Sequence, residues 1–303
     1  GVYHMSDISW QANVNRMAHG IRKRVLGLTL EKGGCYLSQA LSSAEILATL
    51  YGKIMNMGPS EGEDVPSMVD PIRRKKERLP SGGIYHGAIQ TQYDRFLISP
   101  AHYAAPVYAA LVEAGRMASE GLIQFNTDGS VVEMIGEEHS PGFELTTGSF
   151  GQCISQAGGI ASAKKLKGDK SRVFVFLSDG ELQEGQTWEA MQALSFYKAD
   201  NLVVYVDVNG QQVDGYTRDV MNIEPLQSRF EAFGVKCMSV NGHDVDALYI
   251  ASLQGEKDKP LVVLCYTDPC HGIPLLERRK PKLHYVRIPR EERPEFEAFY
   301  AAM

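Results

Sequence analysis

The sequence has little of what marks several common classes of protein. Its 303 residues include only five cysteines, an odd number with wide spacing and no Cys-x-x-Cys pair, so neither a disulfide framework nor a zinc site is expected. No apolar run approaches the ~20 residues that span a bilayer. The formal charge of -6 provides no basic excess for nucleic acid or an anionic membrane. These absences indicate an ordinary cytoplasmic protein with reduced thiols.

Two early parts of the chain stand apart from the rest. The opening Gly-Val-Tyr-His-Met resembles the remnant of an expression tag, and we expect native residues to begin near Met5 or Ser6. Residues 58–92 are rich in glycine, proline and charge and include the basic run RRKKER, which predicts a long exposed excursion. Between them, SSAEILATLYGKIM has helical spacing, and Ser42 with Glu45 predicts a capping box at the start of that helix.

Four apolar runs predict the strands of a parallel sheet. They are VFVFL at 173–177, LVVYV at 202–206, LVVLCY at 261–266 and the weaker VKCMSV at 235–240. Continuous apolar runs of this length are typical of strands that are buried on both faces. Helix-compatible stretches lie between or beside them, at 151–167, 184–198 and 226–233. This alternation predicts a doubly wound α/β fold, with a mainly parallel sheet and helices on both faces.

Polar residues follow two of these strands, at the sheet edge where such folds bind ligands. Asp179 and Gly180 come just after the first strand, and Asn209 and Gln211 come just after the second. One carboxylate and one amide oxygen suit a hard dication such as Mg²⁺ that also binds phosphate oxygens. Gly180 lets a phosphate approach its backbone N–H. Asp-Gly and Asn-Gly pairs also form simple turns, so these residues alone leave both interpretations open.

The surrounding text resembles the thiamine diphosphate signature of transketolases. In that family Gly-Asp-Gly is followed at a distance by Asn, and here SDGELQEGQTWEA precedes NLVVYVDVNGQQVDG. Four further segments agree in the same order: DRFLISPAHYAAPVYAALVEAG at 94–115, GFELTTGSFGQ at 142–152, VNGHDVDAL at 240–248 and HGIPL at 271–275. Five ordered segments are far more specific than a single motif. Over residues 16–275 the resemblance implies the N-terminal, diphosphate-binding half of a transketolase.

The resemblance also implies a role for each matching residue. Asp179 and Asn209 would bind Mg²⁺, or Ca²⁺ or Mn²⁺ in its place, through their side chains, and Gln211 through its backbone carbonyl. Gly180 would donate its N–H to the diphosphate. The remaining implied residues are His102 near the diphosphate, Gly148 and Phe150 on the loop that lines the cofactor, Glu184 and Glu189 between the two active sites, and His271 beside the thiazolium. The alternatives are ordinary hydrogen-bonded histidines and, for the two glutamates, a solvated helix face.

Two sugar-binding histidines of the family are missing here. Tyr36 stands at the position of the first, Glu137 stands where the second is expected, and His139 comes two residues late. Ser178 also replaces the first glycine of Gly-Asp-Gly. We therefore expect transfer of a ketol or acyl fragment to an aldehyde acceptor from a ketose or 2-oxo donor other than the usual pentose phosphates. The alternatives are the α subunit of the thiamine component of a 2-oxo acid dehydrogenase and a non-catalytic scaffold subunit.

The length of the chain predicts a partner. We assign residues 6–275 to the diphosphate-binding domain and 276–303 to a C-terminal tail. Transketolases add a second domain that binds the aminopyrimidine of the cofactor, and at ~100 residues or more it does not fit within the tail. The resemblance therefore implies a separate C-terminal-half subunit in an α2β2 assembly acting on small-molecule substrates. A truncated single-chain enzyme is the alternative.

Overall fold

The structure is a computed structural model that describes residues 9–69 and 79–303 of the chain. The suspected tag remnant and the basic run RRKKER lie outside the described residues. The described parts of the excursion 58–92 are not uniformly exposed, because Tyr85 and His86 are buried in the short 3₁₀ helix Gly82–His86. The predicted exposed excursion is therefore partly packed against the rest of the protein.

A parallel sheet forms the centre of the fold. Its strands are β1 (Arg95–Ile98), β2 (Val173–Ser178), β3 (Leu202–Val208), β6 (Lys236–Asn241) and β7 (Leu261–Tyr266), while β4 (Gln211–Gln212) and β5 (Gly215–Tyr216) form a separate antiparallel hairpin. The five strands lie in the order β1-β2-β3-β7-β6, with every neighbouring pair parallel. The four predicted strands are confirmed, and β1 is a fifth that the sequence analysis did not separate from its motif.

Helices cover both faces of this sheet. One face packs against α1 (Trp10–Lys32), α2 (Leu37–Thr49), α3 (Ala104–Glu113) and α8 (Val245–Ser252), and the other against α4 (Cys153–Leu166), α5 (Gly185–Phe196) and α7 (Leu226–Ala232). Along β2, Phe174 and Phe176 enter the first core, whereas Val173, Val175 and Leu177 enter the second. Because both faces of each central strand are covered, β2 and β3 are apolar until the polar residues Ser178 and Asp207 near their carboxyl ends, and the predicted doubly wound fold is confirmed.

Helix α2 begins at Leu37 rather than near Ser42, so the predicted capping box is wrong. The Ser42 hydroxyl lies in the middle of the helix and donates to Asp207 Oδ2 at 2.6 Å, while Glu45 pairs with a buried arginine. Every residue of α2 is buried. Gln39, Ser42 and Glu45 recur at intervals of three residues and so share one side of the helix. We call these three residues the polar stripe of α2.

Residues 276–303 pack on the same core as the first face of the sheet. Leu283 and Val286 are buried in that core, as is Phe296 of the terminal helix α9 (Arg293–Ala302). Val286 and Cys35 exchange two backbone hydrogen bonds, of 2.9 and 3.1 Å. The segment is therefore integral to the fold, and the domain boundary at residue 275 stays a prediction.

A remaining short helix, α6 (Thr217–Met221), follows β5. Within residues 9–69 and 79–303, no helix is both long and apolar enough to cross a bilayer.

Candidate functional site

The predicted metal ligands lie together at the carboxyl ends of β2 and β3. The register of these strands pairs Ser178 with Asp207, which brings the residues that follow each strand side by side. Asp179 is buried, and its Oδ2 accepts a hydrogen bond of 2.9 Å from the Gly210 backbone N–H. Asn209 Oδ1 accepts from the backbone N–H of Gln211, also at 2.9 Å. The predicted ligand set thus occupies one small region of the sheet edge.

Gly180 leaves room for a ligand beside the backbone. A Cβ atom built on this residue would meet nothing closer than Gln212 Cγ at 3.7 Å. The space next to the Gly180 backbone is therefore open on the side of the hairpin formed by β4 and β5. The contact expected between the Gly180 N–H and a diphosphate stays a prediction.

Asp207, to which the sequence pattern gave no role, fixes the orientation of the Asn209 amide. This fully buried carboxylate accepts from Thr267 at Oδ1, and at Oδ2 from Ser42 at 2.6 Å and Tyr103 at 2.7 Å. The Asn209 Nδ2 group donates to the same Oδ2 at 3.3 Å and to the Tyr103 hydroxyl at 3.2 Å. Because the amide nitrogen is held on this side, the amide oxygen is turned away from Asp207. The amide oxygen lies on the other side, where it accepts from the Gln211 backbone N–H, and its role as a metal ligand stays a prediction.

The electrostatics of this edge also fit a cation. Burial and the neighbouring Asp207 raise the pKa of Asp179 to about 8. Burial likewise raises the pKa of Asp207, although its four hydrogen bonds oppose that shift. Two buried carboxylates this close are unfavourable in their ionised forms, and a divalent cation reverses that preference. The donor set of carboxylate and amide oxygens is the one that Mg²⁺ or Ca²⁺ prefers.

A cavity of about 150 Å³ brings most of the predicted cofactor residues together. Its walls include Asp179, Gly180, Asn209, Gln211, His102, Phe150 and Glu184, together with Ser38, Gln39 and His284, which were not predicted. A larger cavity of about 510 Å³ shares Asp179, Asn209 and Gln211 with it. The strand-end residues therefore border two neighbouring regions of free space.

His102 lies among aromatic rings on the wall of this cavity. Its ring centroid is 5.3 Å from those of Tyr36 and His284 and 6.1 Å from that of Phe150. Burial, helped by the neighbouring His284, lowers the pKa of His102 to about 3. The imidazole is therefore neutral near pH 7, and it is able to donate and accept hydrogen bonds without carrying a charge.

The loop 142–152 carries Gly148 and Phe150 beside the cavity. Gly148 has a φ of +98°, and a Cβ at this position would lie 2.9 Å from the Ala101 Cβ, so the backbone requires glycine. Further along the loop, the Gly151 backbone N–H donates at 2.9 Å to Oε1 of Glu181, a fully buried carboxylate. Burial raises the pKa of Glu181 to about 7. This glutamate belongs to the motif that follows β2, but sequence reasoning gave it no role.

A second buried glutamate holds the start of the same loop. Glu144 accepts from His86 Nδ1 at 2.9 Å and from the Phe96 backbone N–H at 3.0 Å, and it pairs with Arg95. Burial would raise the pKa of this carboxyl, but His86, Arg95 and the backbone donor hold it below its usual range. The loop is thus tied at both ends to strands of the sheet or to the residues that follow them.

His271 does not line the 150 Å³ cavity but belongs to a separate cluster. Its ring stacks on that of His243 with centroids 3.8 Å apart, and its Nε2 lies 3.4 Å from Glu45 Oε1. The same carboxylate faces His243 Nδ1 at 3.3 Å and pairs with the buried Arg22. Against the effect of burial, the two histidines and Arg22 hold the pKa of Glu45 well below its usual range.

The cluster of Glu45, His243 and His271 is better described as a group of closely packed ion-pairing side chains than as a metal centre. Its three donor atoms lie within 4.8 Å of one another, which resembles a ligand set. However, His243 Nε2 accepts a hydrogen bond of 2.8 Å from the Asp268 backbone N–H. A neutral His243 therefore carries its proton on Nδ1, and that nitrogen is not a free ligand. Glu45 and His243 position His271 instead.

The other predicted residues lie at or outside the cavity rim. Glu184 precedes α5 and lines the cavity, and Glu189 lies further along α5; both are exposed, which fits either a solvated face or an interface. Glu137 does not line the cavity, and its Oε1 accepts a hydrogen bond of 3.1 Å from the His139 backbone N–H. The Nδ1 atom of His139 lies 3.0 Å from the Pro80 carbonyl oxygen. Neither Glu137 nor His139 supplies the imidazole that is missing at the expected positions.

Comparison with known proteins now identifies the family. The family model described as the thiamine diphosphate binding domain of transketolase matches residues 88–285. The chain belongs to the transketolase family. It is 35% identical over 292 residues to the transketolase family protein y4mO of Sinorhizobium fredii, covering 95% of each chain. It is 30% identical to a subunit of the apulose-4-phosphate transketolase of Actinobacillus succinogenes, covering 93% of each.

Solved transketolases have the same fold but are longer. The transketolase from Leishmania mexicana matches with a TM-score of 0.69 at 22% identity, over 99% of this chain and 45% of that one. This transketolase-family chain therefore spans less than half of that solved structure and nearly the full length of the Actinobacillus succinogenes relative. The resemblance predicted from five sequence segments is confirmed, as is the presence of a thiamine diphosphate-binding domain.

Proposed function

We propose that this chain is the N-terminal subunit of a transketolase-type transferase that depends on thiamine diphosphate and Mg²⁺. The observation that supports the metal site best is the pairing of Asp179 and Asn209 at neighbouring strand ends, with the Asn209 amide oriented by Asp207 and Tyr103. The enzyme would move a ketol or acyl fragment from a ketose or 2-oxo donor to an aldehyde acceptor. We place this reaction in the cytoplasm, as the cysteine pattern predicts.

Each residue of the site has a defined task in this proposal. Thiamine diphosphate supplies the nucleophilic carbon when it is bound. Asp179 and Asn209 would hold Mg²⁺, and Gly180 would donate its backbone N–H to the diphosphate. Neutral His102 would hydrogen-bond to the cofactor or substrate without adding charge. Phe150 would shield the cavity from water.

His271 would hold or release a proton near the reacting atoms. Glu45 and His243 fix its ring, and its imidazole is half-exposed and therefore accessible to a substrate. Glu45 touches neither cavity, so we regard it as a positioning residue for His271. This arrangement would keep the imidazole in one orientation before the substrate arrives.

We propose that a second polypeptide completes the active site. A relative that matches over most of its length is named as one subunit of a transketolase, and this chain spans 45% of a solved transketolase. The aminopyrimidine-binding half would then come from a C-terminal-half partner in an α2β2 assembly. Exposed Glu184 and Glu189 are available for contacts at such an interface. The isolated chain should show no turnover, and full activity from this chain alone would contradict the proposal.

The donor is proposed to differ from the usual pentose phosphates. Tyr36 packs against the His102 ring, but neither Tyr36 nor Glu137 is among the residues that line the cavity, so neither reproduces a histidine there. By its name, one relative that matches over nearly its full length acts on apulose 4-phosphate. A 2-oxo acid dehydrogenase component is not supported, because two relatives that match over nearly the whole chain are named as transketolase proteins.

A titration of the chain with thiamine diphosphate and Mg²⁺ tests the metal site. Asp179→Ala and Asn209→Ala should each weaken binding at least about 100-fold, because each removes a direct metal ligand rather than an outer-shell group. Circular dichroism should show an unchanged fold. Asp219→Ala, which removes an exposed carboxylate of α6, is the matched control and should bind normally. Wild-type affinity in either site variant would refute the assignment.

A further inference from the structure

The C-terminal segment places a histidine on the wall of the cofactor cavity. Residues 283–286 run beside the start of α2 and are fixed to it on both sides of His284. The Ser38 hydroxyl donates to the Leu283 carbonyl at 2.7 Å, and Gln39 Nε2 donates to the His284 carbonyl at 3.0 Å. With Leu283 and Val286 buried in the core, the backbone at His284 has little freedom. The position of its imidazole is therefore built into the fold.

The His284 side chain stands next to two rings, that of His102, which lines the cavity, and that of Tyr36, which does not. Its centroid is 5.3 Å from that of Tyr36 and 5.3 Å from that of His102. Tyr36 is held in turn by Tyr285, with ring centroids 5.1 Å apart and nearly perpendicular. His284 and His102 line the same cavity as Asp179 and Asn209. Two imidazoles from distant parts of the chain therefore form one wall beside the proposed metal site.

The chemistry of this pair suits an uncharged polar ligand. Burial lowers the pKa of His284, although the charge of Asp214 opposes the shift, and the pKa of His102 is lowered to about 3. Each neutral imidazole offers one N–H donor and one lone-pair acceptor, and a hydroxyl group can use both. A phosphate would instead favour cationic side chains. Gln39 Nε2 lies 3.5 Å from Nδ1 of the His284 ring, at the limit of hydrogen-bond distance.

We propose that His284 is a specificity-determining residue that, together with His102, hydrogen-bonds the hydroxyl groups of a ketose donor in the cofactor cavity. This inference rests on the transferase function proposed above. It assigns a substrate-binding role to the C-terminal segment, which the sequence analysis treated as a tail. His284 supplies an imidazole to the cavity lining, next to position 36, which carries a tyrosine.

The first experiment asks whether His284 borders the bound cofactor. The full chain, labelled with ¹⁵N-histidine, is titrated with Mg²⁺ and thiamine diphosphate and followed by NMR. The ring signals of His284 and His102 should shift on binding, whereas those of His139, whose ring faces Pro80 and Glu138, should not. Unchanged His284 signals in a chain that binds the cofactor would overturn the inference. A chain that binds no cofactor would instead refute the proposed function.

The second experiment measures donor specificity in the complex with the partner subunit. Two donors are compared: hydroxypyruvate, which lacks a hydroxyl chain beyond the transferred fragment, and the best ketose phosphate from a screen. His284→Ala should raise KM or lower kcat/KM for the ketose about 10–100-fold, because substrate hydroxyls lose a buried partner. Turnover of hydroxypyruvate and the Kd of the cofactor should change less than about threefold. His284→Gln should restore part of the ketose activity, since an amide also donates and accepts.

Each result of the second experiment has a defined meaning. His139→Ala is the control and should behave as wild type with both donors. Any of three results would overturn the role of His284. They are an equal loss of activity with both donors, no loss with the ketose, and a wild-type complex that uses hydroxypyruvate but no ketose. If the wild-type complex uses neither donor, the proposed transferase function fails instead.

Discussion

Replacing Tyr103 with phenylalanine tests whether the orientation of Asn209 matters for the metal site. The change deletes one hydroxyl and keeps the fully buried ring. That hydroxyl donates to Asp207 Oδ2 at 2.7 Å and accepts from Asn209 Nδ2 at 3.2 Å. After the change, Asn209 Nδ2 keeps only its longer hydrogen bond to Asp207, at 3.3 Å. The amide then becomes freer to rotate away from the orientation that a metal ligand needs.

The structure sets the size of two separate effects. A hydrogen bond to a charged acceptor contributes about 1.5–3 kcal/mol, so Tyr103→Phe should lower the free energy of unfolding by about 2 kcal/mol. At ~2.1 cal/mol/K of unfolding entropy per residue, a chain of 303 residues should lose about 3 °C in Tm. Losing a group that orients a metal ligand typically weakens affinity 10–100-fold. Since one of the two hydrogen bonds remains, we expect about tenfold, or about 1.4 kcal/mol.

The assay is a calorimetric titration with thiamine diphosphate at several fixed Mg²⁺ concentrations. The defect of Tyr103→Phe should shrink as Mg²⁺ rises, because mass action compensates for a weaker metal site. Tyr108→Phe is the matched control: this tyrosine is equally buried and donates to the Glu133 carbonyl at 2.8 Å. It should lose about 1 kcal/mol of stability but no affinity. Wild-type affinity in Tyr103→Phe would show that Asn209 needs no such support or binds no metal.

Two further predictions concern the buried glutamates. Glu45→Ala leaves the Arg22 charge buried without its partner, so it should lower the free energy of unfolding, measured in urea, by about 3–5 kcal/mol. The control Glu297→Ala breaks an exposed pair and should lower it by less than about 0.5 kcal/mol. Equal losses in the two variants would contradict the reasoning. Glu144 has a lowered folded-state pKa, so it stabilises the fold above its ordinary value of 4.5, and this contribution is lost as pH falls through the folded pKa. Glu144→Gln should flatten the acid side of the stability curve, and a curve parallel to wild type would refute this.

Local pattern was sufficient to predict the central strands but not all element boundaries. Strands buried on both faces are apolar throughout, so their sequences indicate them directly. β1 is only four residues long, which is too short for periodicity to separate it from the surrounding motif. The capping-box prediction failed because the helix already begins at Leu37, and Ser42 and Glu45 are interior residues that bind partners from distant segments. Nothing in the local sequence distinguishes these two uses of the same residue types.

The residues of the candidate site were likewise only partly predictable from the sequence. Asp179 and Asn209 could be selected because they directly follow recognisable strands, and parallel strands place such residues at one edge. Asp207 lies within the same motif, but its role depends on Ser42, Tyr103 and Thr267, which come from three other parts of the chain. The role proposed for His284 likewise depends on packing between the C-terminal segment and α2. Residue spacing carries no information about contacts of that kind.

The polar stripe of α2 couples three parts of the site through one rigid body. Gln39 holds the backbone of His284, Ser42 holds the carboxylate beside the metal site, and Glu45 holds the histidine cluster. A helix rises 1.5 Å per residue, and all three anchors are fixed to the same backbone. A shift of the α2 backbone that changed the shape of the cavity beside His284 would also displace Ser42 and Glu45. We therefore expect changes in the substrate preference of this protein to arise from side-chain replacements along the cavity wall, while the position of the α2 backbone stays the same.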